Sequence, residues 1–147
     1  QNYGACKLER IHEGYRKGVM VSIIYGVFAC VVMVFFGRIL SMMFVSANES
    51  QVLNASALYL RRMGYFYPVL GILITTRMSV QGLGYSARAM LAGFVEMIAR
   101  CIVALCFVPV FKYNAITWAD QTAWIAATLV LIPLWISAIR AVQKKMC

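Results

Sequence analysis

The chain has 147 residues, 63% of them hydrophobic and 13% charged, with a formal net charge of +9. Soluble domains average about half apolar and about a quarter charged, so this composition excludes an ordinary soluble fold and points to a lipid environment. The basic excess does not point to nucleic acid, because Lys and Arg punctuate the ends of apolar runs instead of lining one solvated face beside aromatic readers; that placement serves orientation in a bilayer.

In chain order, Gln1 to Lys17 is polar and reads as a loop leading into a partly amphipathic helical turn. His12 lies among charges with no second ligand beside it and reads as solvated. A first span is predicted at about 17–45, since Val19 to Phe36 carries no charge. Ser46 to Ser56 is a small, polar loop. Its two Asn-x-Ser matches, at Asn48 and Asn54, are too short a pattern to assign glycosylation.

The second span, about 57–79, has a short charge-free core from Met63 to Thr76. Arg61, Arg62 and Arg77 are expected to extend toward the interfaces. Gly64, Pro68 and Gly71 make it the span expected to bend. Pro68 is the hinge candidate, because proline removes one backbone donor and crowds the carbonyl four residues earlier, that of Gly64.

Gln81 to Gly84 forms a turn before a third span at 87–111, and Lys112 to Asn114 forms another before a fourth at 117–140. Asp120 follows Thr117 by three residues, the spacing of a capping box at a helix start. The five cysteines, Cys6, Cys30, Cys101, Cys106 and Cys147, form no zinc pattern or disulfide framework and read as small apolar packing residues. Gln1 is not an initiator methionine, and the chain reads as a piece of something longer.

These elements predict an all-α, multi-pass transmembrane helical bundle of four spans, residues 1–147 forming a single membrane domain fragment. With the start cytoplasmic, nine basic residues lie inside (Lys7, Arg10, Arg16, Lys17, Arg77, Arg88, Arg140, Lys144, Lys145) against four outside (Arg38, Arg61, Arg62, Lys112). The positive-inside rule then places both termini in the cytoplasm.

Glu96 and Arg100 are the charges deepest in an apolar stretch, at i and i+4 with the acid on the amino-terminal side, the favourable order for a helical pair. A charge at the bilayer centre costs at least about 2.5–3.5 kcal/mol, so the pair must face protein or a water-filled cavity. It reads either as an ion pair that locks helix packing or as a coupling or gating group. Tyr67, Thr75 and Thr76 are the substrate-cavity candidates on span two, because an aromatic face attracts a lipophilic cation; the competing reading of Tyr65 and Tyr67 is an interfacial aromatic belt. No nucleophile with its base, phosphate-cradling loop or metal cluster is present in the pattern, so neither an enzyme, a metal site nor an organic cofactor is expected.

Three stretches resemble one family. Gln1-Asn2-Tyr3-Gly4-Ala5 before a basic helix start, Gln81-Gly82-Leu83-Gly84 leading to Glu96 and Arg100, and Thr117-Trp118-Ala119-Asp120 with Ala123-Trp124 are together similar to the carboxy-terminal third of multidrug and toxic compound extrusion (MATE) transporters. That resemblance implies helices nine to twelve of a twelve-helix, two-lobe antiporter in the plasma or bacterial inner membrane. Such a protein exports organic cations or drugs in exchange for sodium ions or protons by alternating access. It further implies the lipid bilayer, organic cation substrates and helices one to eight of the same transporter as partners, with the coupling cation in place of a cofactor. Cys6 stands where the family often has glycine, and span two lacks the carboxylate that some members carry in helix ten. Two alternatives stay open: a flippase for lipid-linked saccharides of the wider superfamily, and a non-transporting membrane scaffold subunit.

Overall fold

The computed structural model describes residues 1–146, which places Cys147 outside the described residues. The elements are α1 (Leu8–Met42), α2 (Ser50–Tyr65), α3 (Tyr67–Gly82), α4 (Ser86–Ile102), a π-helical turn (Val103–Phe107), α5 (Val108–Phe111) and α6 (Tyr113–Met146), with no strand among the described residues. The protein is an all-helical membrane bundle. Three helical stretches are long and apolar enough to cross a bilayer: Leu8–Met42, Ser86–Phe111 and Tyr113–Lys145. The stretch read as a second span is instead two 16-residue helices, α2 and α3, separated at Phe66.

The break at Phe66 follows from Pro68. Proline supplies no N–H for the carbonyl of Gly64 but tolerates the first turn of a helix, and it occupies that first turn in α3. Phe66 turns its N–H to the carbonyl of Met63 at 3.0 Å, a tighter closure than an α-helical bond. Despite the break, α2 and α3 follow α1 in one antiparallel register. Gly37 lies against Leu60, Gly64 against Cys30 and Met33, Gly26 against Pro68, Gly71 against Ser22 and Gly18 against Thr75. A side chain on Gly26 would place its Cβ 2.7 Å from the backbone of Pro68, and one on Gly71 would place it 2.8 Å from the carbonyl oxygen of Ser22. Small residues that let backbones meet are what holds helices together where lipid removes the hydrophobic drive.

Helix α6 is the centre of the bundle. Thr117, Gln121, Trp124, Leu131, Trp135, Ala138 and Val142 are buried at spacings of three, four and seven residues, a seam of the kind that packs helices side by side. Ala123 and Ala127 are fully buried as well, as are Ala89 and Ala92 of α4, so these two helices also meet through small side chains. Tyr15 stacks on Trp135 with ring centroids 4.3 Å apart, tying α1 to α6.

Several boundaries differ from the hydropathy reading for local reasons. The loop before span two shortens, because α2 starts at Ser50. The turn after α5 closes on Lys112, whose φ of 49° reverses the chain in one residue, so α6 begins at Tyr113. Thr117 and Asp120 therefore lie inside α6 and do not cap it. Cys30 is half-buried, whereas Cys6, Cys101 and Cys106 are exposed, so packing falls to Cys30 among the described cysteines.

Candidate functional site

The deep charges form a chain across four helices. Glu96 of α4 bonds Arg77 of α3 through Oε1 and, through Oε2, Arg100 one turn along its own helix at 3.4 Å. Arg100 Nε in turn donates to Asp120 Oδ1 of α6 at 3.0 Å, and Tyr59 of α2 donates its hydroxyl to Asp120 Oδ2 at 2.7 Å. Glu96 is the most enclosed carboxylate, its side chain 12% exposed against 26% for Asp120. Each carboxylate is compensated by at least one guanidinium, the condition for keeping charge at low dielectric.

The i, i+4 spacing gave the Arg100 contact but not the stronger geometry of the network. Arg77 does not reach for the interface; it turns inward to Glu96 with its side chain 26% exposed, and its Nε is buried without a hydrogen-bond partner among the described residues. Asp120 and Tyr59 complete the network from helices that spacing alone does not connect. A signal existed for Asp120: it is the only carboxylate in α6, and a lone carboxylate in an apolar helix calls for a basic partner.

The three cavity candidates separate. Tyr67 and Thr75 line a cavity of about 250 Å3 between α1 and α3, together with Ser22, Tyr25, Leu70 and Ile74. Thr75 Oγ1 donates to Ser22 Oγ at 3.1 Å, and Tyr67 meets the Trp124 ring edge-to-face at 6.2 Å. Thr76 is fully buried on another face, where its hydroxyl donates to the Ile72 carbonyl at 2.7 Å and pairs with the Tyr15 hydroxyl at 3.0 Å. Pro68 is covered by Gly26 of α1 directly beside Tyr67. Tyr65, exposed at the end of α2, points away from the core as an interfacial residue would. No group of His, Cys, Asp or Glu suited to a metal occurs among the described residues.

Comparison with known proteins places these parts. No curated protein and no solved structure matches the chain. The MatE family model matches residues 1–106, from the amino-terminal loop through α1 to α4 and into the π-helical turn, and so takes in Pro68, Arg77, Glu96 and Arg100 but not Asp120. With most of its length matched, and with apolar helices of bilayer-spanning length, the chain belongs to the MatE family, whose members are membrane transporters.

Proposed function

We propose that the chain forms helices nine to twelve in the second lobe of an ion-coupled exporter of organic cations. Transport proceeds by alternating access against helices one to eight of the same transporter, in a cell membrane with both termini cytoplasmic. The observation that carries this reading is the cavity beside the Phe66 break: two tyrosines and the hydroxyl groups of Ser22 and Thr75 line it, and no Lys or Arg does. Ring faces attract a lipophilic cation, whereas a flippase for a lipid-linked, phosphate-bearing saccharide calls for basic lining.

Glu96 is already compensated by two guanidinium groups, which argues for a part in gating and against direct binding of the coupling sodium ion or proton. Such a gate closes by bringing α3, α4 and α6 together and opens when the bonds between them part. The test is efflux by the full transporter in cells. Tyr67→Ala should change which cationic dyes are exported while leaving protein level intact, and Pro68→Ala should lower export of all of them. Unaltered export spectra and rates in both variants would remove this cavity from the transport path.

A further inference from the structure

Of the arginines near the polar network, Arg77 and Arg100 each bond a carboxylate. Arg62 bonds none among the described residues: its Nη1 reaches Thr117 Oγ1 and, at 3.1 Å, Asn114 Oδ1. Its guanidinium also lies 5.5 Å from the centre of the Trp118 ring. All of these partners are neutral, so a positive charge at the end of the bundle where α5 closes and α6 opens is left without a counter-charge.

Beside it lies an apolar cavity of about 340 Å3, lined by Val103, Phe107, Phe111, Asn114, Trp118 and Thr122. That is the lower end of ligand-pocket size. The π-helical turn Val103–Phe107 builds one wall, and such turns are frequent at functional positions. Asn114 and Trp118 belong both to the cavity wall and to the surroundings of Arg62, so the guanidinium stands at the cavity's rim. Lys112, exposed and adjacent to Phe111, adds a second positive charge at the same end.

From this arrangement we infer that the cavity is a binding site for an anionic phospholipid, with an acyl chain against Phe107, Phe111 and Trp118 and the phosphate on Arg62 and Lys112. A neutral apolar groove would accept any lipid tail. The unpaired guanidinium at its rim selects the charge of the headgroup, and it selects a phosphate, which its planar donor fork fits.

Trp118 reports on its own occupant. It is 41% exposed, whereas Trp124 and Trp135 are 7% and 6% exposed, so bromine on a lipid tail quenches chiefly Trp118. The chain is reconstituted in phosphatidylcholine vesicles containing a small fraction of either dibrominated phosphatidylglycerol or dibrominated phosphatidylcholine, with Trp118→Phe giving the background. One basic contact to an anionic lipid corresponds to about fivefold enrichment, so quenching should show an apparent preference of about fivefold for phosphatidylglycerol. Arg62→Gln should remove most of the preference, Arg62→Lys should keep more of it, and Lys112→Gln should reduce it by less, without changing the fold. Equal quenching by the two brominated lipids in the unaltered chain overturns the inference. So does quenching by a water-soluble brominated organic anion that depends on Arg62 while phosphatidylglycerol shows no preference, because the site would then serve a solute and not a lipid.

Discussion

Two halves of the bundle are held by opposite means. Along α1 and α2–α3, contact is made by backbone: Gly26 on Pro68, Gly71 on Ser22, Gly64 on Cys30 and Met33. Between α3, α4 and α6 small side chains also meet, but what distinguishes this half is charge, through Arg77, Glu96, Arg100 and Asp120. A backbone contact is defined by shape and tolerates small displacement along the helix, but no added volume. A desolvated ion pair tolerates volume but no loss of charge. The first half is suited to bend; the second is suited to hold and release.

The largest test of that contrast is Glu96→Gln. It leaves the Arg77 and Arg100 guanidinium groups facing a neutral amide and should destabilise the bundle by about 3–5 kcal/mol, measured as the thermal midpoint in detergent. Arg77→Met combined with Glu96→Leu should recover most of that loss, since Arg100 keeps Asp120. Exchanging the charges of Glu96 and Arg100 should recover little, because Arg77 then faces a second guanidinium. A single-variant loss below about 1 kcal/mol would mean that the network is hydrated and not part of the packing.

Next in size is Gly26→Leu, in the half governed by shape. Overpacking costs about 1–3 kcal/mol, occasionally more, and here the obstacle is backbone, so α1 must move away from the Phe66 break. Gly14→Leu, in open space on the same helix, should cost far less. Equal loss at both positions would show that helix propensity, not close approach, sets the effect.

The smallest effect belongs to the ion pair outside the apolar region, where Lys17 Nζ donates to Glu13 Oε1 at 2.6 Å. The Lys17 hydrogen bond, reinforced by its charge, holds the Glu13 carboxyl below the usual carboxylate range. A depressed folded-state value means that whatever stability the pair gives is present above the ordinary carboxylate range and lost as pH falls through the lowered one. Both groups are exposed, so Glu13→Gln should leave the thermal midpoint at neutral pH unchanged within error. A shift comparable with that of Glu96→Gln would erase the distinction between solvated and enclosed charge.

Hydropathy made α1, the α4 stretch and α6 legible as membrane helices, because each keeps a high mean hydropathy over the length of a span. Spacing made Glu96 and Arg100 legible as a pair. The partners that define the network were not, since Arg77 reaches Glu96 across the α3–α4 turn, and Asp120 and Tyr59 arrive from α6 and α2. Side-chain meetings of this kind depend on helix rotation, which a short window does not encode. The Thr117–Asp120 spacing pointed to a helix start that Lys112 moves a turn and more upstream, because a left-handed residue can reverse the chain where a three-residue turn was expected. Gly64 and Gly71 were legible as residues of a bend, while their actual use is as a contact surface for α1, a property of the partner helix and not of the local sequence.

The length of α1 has a mechanical consequence. At 1.5 Å of rise per residue its 35 residues make a rod of about 52 Å, well beyond the roughly 30 Å of hydrocarbon. Leu8 stands about 27 Å along that rod from Gly26, the point pressed on the Phe66 break. A tilt of only about 10° at that fulcrum swings the Leu8 end through roughly 5 Å. Motion too small to notice beside Tyr67 is thereby magnified at the tip of a lever standing clear of the lipid, where the charged turn holding Glu13 and Lys17 rides on it.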